Sequence, residues 1–305
     1  MNVIGRGRQR AEVGYDHDWY RFSALPSRPD LRWPEGKKVA VAILLDVRAA
    51  EWEREPPPVP VPGGRGTAAF PDFPRLSHRE FGHRVGVFRL IQILAELRLP
   101  WSAVVDVLTA EHYPAVVERV VRPAAETVAG GLSASRPLTS LMAAEEEAHY
   151  VAMTLDRLEQ ALGHRPRAWM SPGWSESHRT PGILAAAGLD LVLDFANDEQ
   201  PYPFAGAEPL WCVPVSWELT DVAAIFDRDV DPEVYADCLA AAVERLVVDA
   251  PTGARMLGLH VHPWLSGEPF RARALRRVLT MLAKRDDVWW TSPSVLADHV
   301  RQVGG

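Results

Sequence analysis

The chain has 305 residues, of which 47% are hydrophobic and 24% are charged, and its formal net charge is −7. This length and composition suit one α/β barrel with a large core. The negative charge argues against a nucleic-acid partner, which would need a clustered basic face. Cys212 and Cys238 match no zinc-binding pattern and make no disulfide framework, so we expect two reduced thiols.

The N-terminal region, residues 1–35, is predicted to form an arm, because Pro26, Pro29 and Pro34 interrupt regular structure. The arginines near its start are not followed by an apolar run, so we expect no signal peptide. No apolar stretch of the sequence approaches the length of a membrane span. The sequence therefore predicts a cytoplasmic protein with no membrane partner.

Strand and helix patterns alternate through residues 36–305, which predicts a single (β/α) barrel domain. The apolar run 39–47 predicts a first strand that is buried on both faces. A proline-rich loop is expected at 54–74, and helical periodicity returns at Val85. Further strands are predicted at 101–108, 166–170, 189–193, 211–215, 255–260 and 288–290, with a strand end and turn at 128–135, and helices at 113–122, 143–162, 180–187, 232–248, 271–283 and 293–300.

Acidic and imidazole side chains follow several of the predicted strands. In a βα barrel the carboxyl ends of the strands share one face, and that face carries the chemistry. The sequence therefore predicts a working site there, formed by Asp46, Asp106, Asp194, Glu218, Asp221, His260 and His262.

Six segments of the chain together resemble the polysaccharide deacetylase family, within it the branch that includes allantoinase-like amide hydrolases. They are WPEGKKVAVAILLDVR at 33–48, FGHRVGVFR at 81–89, RAWMSPGW at 167–174, DFANDEQPY at 194–202, VPVSWELTD at 213–221 and LHVHPWLSGEP at 259–269. The resemblance spans about 31–300 and implies a distorted, seven-stranded (β/α) barrel. It also implies an acyl-removing hydrolase with a catalytic carboxylate, a metal held by one Asp and two His, and a late His that acts as an acid.

The sequence departs from that family pattern at the catalytic positions. The paired carboxylates fall at Arg48 and Ala49, and the two metal-binding histidines fall at Gly130 and Ala134. The arginine that often follows strand four falls at Met170, and the late histidine matches His262, with His260 as its competitor. Alanine and glycine offer no ligand atom, and arginine cannot accept a proton at neutral pH. We therefore expect no metal and no other cofactor at the usual place, with a relocated metal site at His83, His260, His262 and Asp46 as the alternative.

The candidate catalytic residues are His262 with Asp46 or Glu218 for proton transfer, and Arg48 for stabilising negative charge. Structural roles remain open for some of them: Asp46 could pair with Arg84, and Glu218 and Asp221 could pair with Arg48. We expect spare volume at Gly130 and Ala134 and an aromatic lining that includes Trp174, which suits a bulky apolar ligand. The candidate substrate-binding residues are His83, Arg84, Trp169, Asp194, Asp198, Trp217, Asp221, His260 and Trp264.

Three functions remain open from the sequence. The first is an enzyme of specialised metabolism that acts on a small or medium organic molecule by metal-independent acid–base chemistry, with cyclisation, isomerisation, elimination or hydrolysis as the outcome. The second is an amide or imide C–N hydrolase, and the third is a non-catalytic protein that binds a ligand or a partner protein. A small-molecule substrate is expected, and a homo-oligomer is left open.

Overall fold

Eight parallel strands curl into a distorted barrel in the computed structural model, which describes residues 19–52 and 72–303. In spatial order β7, β5, β4, β3, β2, β1 and β8 are neighbours, β6 pairs antiparallel with β7, and β9 pairs with the first half of β1. The strands are β1 (Val39–Asp46), β2 (Ser102–Val105), β3 (Glu126–Ala129), β4 (Ala168–Trp169), β5 (Leu191–Val192), β6 (Tyr202–Pro203), β7 (Trp211–Cys212), β8 (Arg255–Val261) and β9 (Val288–Thr291). The predicted α/β barrel is confirmed.

Helices follow most of the strands and pack around the sheet. They are α1 (Phe73–Phe81), α2 (Val87–Glu96), α3 (Val107–His112), α4 (Pro114–Val116), α5 (Ala144–Leu162), α6 (Thr180–Ala186), α7 (Pro232–Asp249), α8 (Pro263–Ser266), α9 (Pro269–Leu282) and α10 (Pro293–Val303). Short π-helical turns occupy Gly82–Gly86, Val117–Val121 and Val222–Asp227. Within the described ranges, no helix is long and apolar enough to cross a membrane.

The first strand pairs with three others, β2, β8 and β9, and all eight of its residues are buried, as the apolar run predicts. Its pairing with β8 sets Leu44 opposite His260 and Leu45 opposite Val261. Because the two strands are parallel, their carboxyl ends lie side by side. The register therefore brings Asp46 next to the two histidines that end β8.

Two predicted boundaries were wrong for the same physical reason, an aspartate that begins a helix. The strand expected at 101–108 ends at Val105, because Asp106 caps α3 by accepting the backbone N–H of Thr109. The loop expected to reach residue 74 ends earlier, because Asp72 accepts the backbone N–H of Arg75 and starts α1. Most of that loop lies outside the described residues.

The described part of the predicted arm, from residue 19, packs on the barrel through Leu31 and Trp33, which are both buried. The indole Nε1 of Trp33 donates a hydrogen bond of 2.7 Å to the carbonyl of Arg255 in β8. This contact anchors the arm to the barrel. Residues 1–18 of the arm lie outside the described ranges.

Two glycines let the start of α2 approach the loop after β8. A Cβ on Gly86 would lie 2.1 Å from the carbonyl oxygen of Pro263, and one on Gly82 would lie 2.7 Å from the backbone nitrogen of Trp264. Any larger residue would push these segments apart. The approach places the C-terminal part of α1 beside His262 and Trp264.

Candidate functional site

A cavity of about 80 Å³ opens at the carboxyl ends of β1 and β8. Its charged and imidazole lining consists of Asp46, Arg48, Arg79, Asp227, His260 and His262, and its aromatic wall consists of Trp174, Trp217 and Trp264. The site therefore lies on the face that the sequence predicts. Its small volume suits a small molecule or one end of a larger molecule.

Asp46 contacts the other charged and imidazole groups at the ends of β1 and β8. Its Oδ2 accepts hydrogen bonds from Nη2 of Arg48 at 2.5 Å and from Nε2 of His260 at 2.9 Å, and it lies 3.3 Å from Nε2 of His262. Burial raises the pKa of this carboxyl, but the Arg48 guanidinium and the two imidazoles outweigh burial and hold the pKa well below its usual range. Asp46 is therefore an ionised acceptor at neutral pH.

His262 is held between two carboxylates. Its Nδ1 donates to Oδ1 of Asp221 at 2.7 Å, while its backbone N–H and the hydroxyl of Ser266 donate to Oδ2 of the same aspartate at 2.8 and 2.6 Å. Burial lowers the pKa of His262, but Asp221 and then Asp46 raise it further, to about 9. At neutral pH this ring carries a proton on each nitrogen, which makes it a proton donor facing the cavity.

His260 has the opposite protonation behaviour, although its ring centroid lies only 4.3 Å from that of His262. Burial and the neighbouring charge of His262 lower its pKa to about 4, in spite of the hydrogen bond to Asp46. The neutral ring therefore donates from Nε2 to Asp46 and leaves Nδ1 as an acceptor. That buried Nδ1 has no hydrogen-bond partner among the described residues.

The Arg48 side chain occupies space at the carboxyl ends of the strands that was expected to be empty. Its guanidinium bonds Asp46 and also donates to the carbonyls of Met170 and Ser171 at 3.2 and 2.7 Å. A Cβ on Gly130 would lie 2.6 Å from Cδ of Arg48, so the arginine stem fills that space. The expected spare volume at Gly130 was therefore wrong, whereas Ala134 does line the cavity.

The aromatic wall is built from three elements. Trp174 contacts Trp217 edge-on, with ring centroids 5.0 Å apart, and stacks over His260 at 6.1 Å. The ring of Trp264 lies 6.1 Å from that of His262, and the Arg79 guanidinium lies over the same indole, with Cζ 5.0 Å from the ring centroid. Trp217, His260 and Trp264, which were predicted to bind substrate, thus lie in the cavity.

Several predicted site residues lie elsewhere. Glu218 is exposed and forms an ion pair with Arg228 instead of Arg48. Asp221 also does not pair with Arg48. It is fully buried, and its carboxylate binds Nδ1 of His262. Trp169 is fully buried in the core, where its Nε1 donates to the hydroxyl of Ser171.

The remaining candidate substrate-binding residues do not line the cavity and instead contact other parts of the protein or solvent. His83 bonds the carbonyl of Val47 at 2.8 Å and stacks on Tyr113, whereas Arg84 is exposed and does not pair with Asp46. Asp194 accepts the backbone N–H of Ser171. Asp198 forms an ion pair of 2.6 Å with Arg28 of the arm, beside a separate opening.

The sequence reasoning missed Arg79. It lies in the last turn of α1, and its position follows from the close approach at Gly82 and Gly86, which joins segments far apart in the chain. The FGHRVG segment was recognised as a motif, but nothing in its spacing indicates what α1 faces. No sequence signal available from the chain alone marks Arg79.

The polysaccharide deacetylase pattern implies a metal, and three possible ligands lie close enough to test for a fit. Asp46, His260 and His262 each offer a ligand atom, and these atoms lie within 4.8 Å of one another. His83, from the predicted alternative set, is not among them. A divalent cation is disfavoured because the Asp46 oxygen that faces both imidazoles already binds the Arg48 guanidinium. The donor set as arranged does not fit a resident metal.

Known proteins resemble this chain over most of its length, although no family model matches it. A curated protein of Schizosaccharomyces pombe named "Putative polysaccharide deacetylase" is 23% identical over 289 residues, which cover 84% of this chain and 88% of that protein. The crystal structure of a "putative polysaccharide deacetylase" from Mycobacterium smegmatis is 28% identical, with a TM-score of 0.75 over 91% of this chain and 95% of that one.

The Puue allantoinase structure shares the fold, with a TM-score of 0.78 and 18% identity over 98% of both chains. The relatives and the barrel fold agree with a hydrolase-type enzyme family. They also agree with the sequence segments that resemble deacetylases. Together these comparisons support the resemblance to the polysaccharide deacetylase family that the sequence segments indicate.

Proposed function

We propose that this protein is an enzyme that transforms a small organic molecule by general acid–base chemistry without a resident metal, and that His262 is the proton donor. The observation that carries the proposal is the position of His262 between Asp221 and Asp46 at the wall of the cavity. Since Asp221 fixes Nδ1, the other ring nitrogen is the one that delivers a proton. A substrate atom that displaces the 3.3 Å contact with Asp46 would receive it.

The neighbouring groups give this proton transfer a direction. Arg48 keeps Asp46 ionised, and the resulting carboxylate holds His260 in the tautomer whose Nδ1 has a lone pair. A protonated imidazole and a neutral imidazole thus stand 4.3 Å apart. His262 is the one that can give a proton to a ligand, whereas the accepting Nδ1 of His260 is buried. Such a pair supports hydrolysis, elimination, isomerisation or cyclisation. We place the activity in specialised metabolism and in the cytoplasm, as the sequence predicts.

The test uses His262→Asn, with His164→Asn as a matched control at an exposed histidine outside the site. The purified proteins are incubated with N-acyl amides, cyclic amides, imides and hydroxy acids, and the products are read by mass spectrometry as gain of water, loss of water or rearrangement. We expect turnover in the wild type and in His164→Asn, with a loss of about 100-fold or more in His262→Asn. Undiminished turnover in His262→Asn contradicts the proposal.

A second candidate is an amide or imide C–N hydrolase that binds a metal at Asp46, His260 and His262. The spacing of their ligand atoms favours it, and the family's hydrolase members are consistent with it. A bound metal would polarise the substrate carbonyl or activate water. Activity that rises in proportion to added Zn²⁺, Co²⁺ or Mn²⁺, and disappears with a chelator, would select this candidate over the first. Ligand binding without turnover under every condition would instead indicate a non-catalytic protein.

A further inference from the structure

Arg79 presents a positive charge to the cavity without an acidic partner among the described residues. Its guanidinium lines the cavity and lies over Trp264, and among residues 19–52 and 72–303 its side chain makes no hydrogen bond or ion pair. Arg48, the other arginine of the lining, binds Asp46 and two carbonyls. Arg79 is therefore the arginine of this lining that remains available to a ligand.

No acidic side chain of the described residues forms an ion pair with Arg79, although Asp227 also lines the cavity. Asp46 is bound to Arg48 and Asp221 is bound to His262. Burial and the nearby charge of Arg75 lower the pKa of Arg79 to about 10, while Asp46 raises it and Arg48 lowers it. The guanidinium is therefore still protonated at neutral pH, and an anionic ligand would offset part of the cost of desolvating this cation.

We propose that Arg79 is the anion anchor of this cavity and that the substrate is a small organic carboxylate with an apolar or planar body. A guanidinium binds a carboxylate through two parallel hydrogen bonds, which gives both affinity and orientation. The indole of Trp264 underlies the anchor and offers its apolar surface to the body of the ligand. This inference rests on the proposed function only in placing the reacting bond beside His262.

The arrangement also limits where the carboxylate lies within the substrate. Arg79 and His262 both lie against the indole of Trp264. The guanidinium Cζ is 5.0 Å from the indole centroid, and the imidazole centroid is 6.1 Å from it. A ligand anchored by Arg79 would therefore reach His262 within a few bonds of its carboxylate. N-acylated amino acids and related carboxylates have this layout, with the amide one carbon away from the acid.

The test compares carboxylates with their neutral amides, so that shape is matched and only charge differs. Acetate, benzoate, phenylacetate and N-acetylglycine, each beside its amide, are titrated into the full-length protein by calorimetry. For the wild type we expect at least one carboxylate to bind roughly tenfold or more tightly than its amide, a preference that falls with added salt. Arg79→Met should bring the ratio of affinities close to one, whereas Arg79→Lys should keep part of it.

Arg119→Met is the matched control, since this arginine is exposed on the outer surface and should leave the ratio unchanged. Thermal melts confirm that each variant is folded, and Arg79→Lys carries the test if Arg79→Met is not. A wild type that binds none of the carboxylates, or a preference that persists in Arg79→Met, overturns the proposal.

The two proposals fail separately. Loss of turnover in His262→Asn with an unchanged carboxylate preference supports both. Retained turnover in His262→Asn with a preference that depends on Arg79 overturns the role of His262 and leaves the anchor in place.

Discussion

Replacing Asp221 with Asn removes the carboxylate that keeps His262 protonated. The pKa of His262 is about 9 against an ordinary value of 6.5, which corresponds to about 3 kcal/mol in favour of the charged ring. Asp221 is the largest of the contributions that raise this pKa. Asn keeps the shape of the side chain but not its charge, so we expect the His262 pKa to fall by about one to two units.

The stability of Asp221→Asn should depend on pH in a defined direction. A raised histidine pKa stabilises the folded state fully below pH 6.5, and this contribution disappears as the pH rises through about 9. The difference in the free energy of unfolding between the wild type and Asp221→Asn should therefore be largest below pH 6.5. It should narrow above pH 9.

The assay is a titration of the imidazole Cε1–H resonances by NMR, with His262→Asn used to assign the signal. The alkaline limb of the pH–rate profile gives a second reading of the same group once a substrate is known. Asp237→Asn, an exposed carboxylate on α7, is the matched control and should leave the midpoint unchanged. A His262 midpoint near 6.5 in the wild type, or one that does not move in Asp221→Asn, would refute the reasoning.

Three further predictions follow from the packing around the site. Arg48→Met leaves the buried Asp46 carboxylate without its cation and should lower the free energy of unfolding by about 3 kcal/mol, measured by urea denaturation; a change within error would contradict the buried pair. Gly86→Ala forces a Cβ into the opposite backbone and should lower the melting temperature, whereas Gly182→Ala, with open space around it, should not; equal melting temperatures would refute the close approach. Glu218→Gln should leave turnover unchanged, since this carboxylate points away from the cavity, and a large loss would restore it to the catalytic set.

Much of the barrel could be predicted because its signals are local. The continuous apolar run of β1 indicates a strand covered on both faces. Asp46 ends β1, His260 lies near the end of β8, and His262 follows β8 directly. Parallel strand ends share one edge, so these three side chains had to meet once the fold was known. The sequence around the short strand β7 carried no comparable signal. The direction in which the Glu218 side chain points could therefore not be predicted.

The charge pairing in the site depends on long-range geometry that local patterns do not contain. Arg48 was expected to stabilise negative charge on a substrate. Its stem packs on Gly130 and its guanidinium bonds Asp46, and the contact with Gly130 requires the carboxyl ends of β1 and β3 to lie close together. Arg79 reaches the cavity because Gly82 allows the chain to approach Trp264. Such contacts between distant segments appear only when the backbones are placed in space.

Elemental analysis by plasma mass spectrometry tests the central claim, that this site performs its chemistry without a resident metal. The protein is purified without a metal-affinity tag, then measured directly and again after incubation with excess Zn²⁺ and desalting. Because Arg48 binds the Asp46 oxygen that a metal would need, we predict far less than one metal ion per chain in both samples. A stoichiometric metal that is lost in His260→Ala or Asp46→Ala would contradict the account.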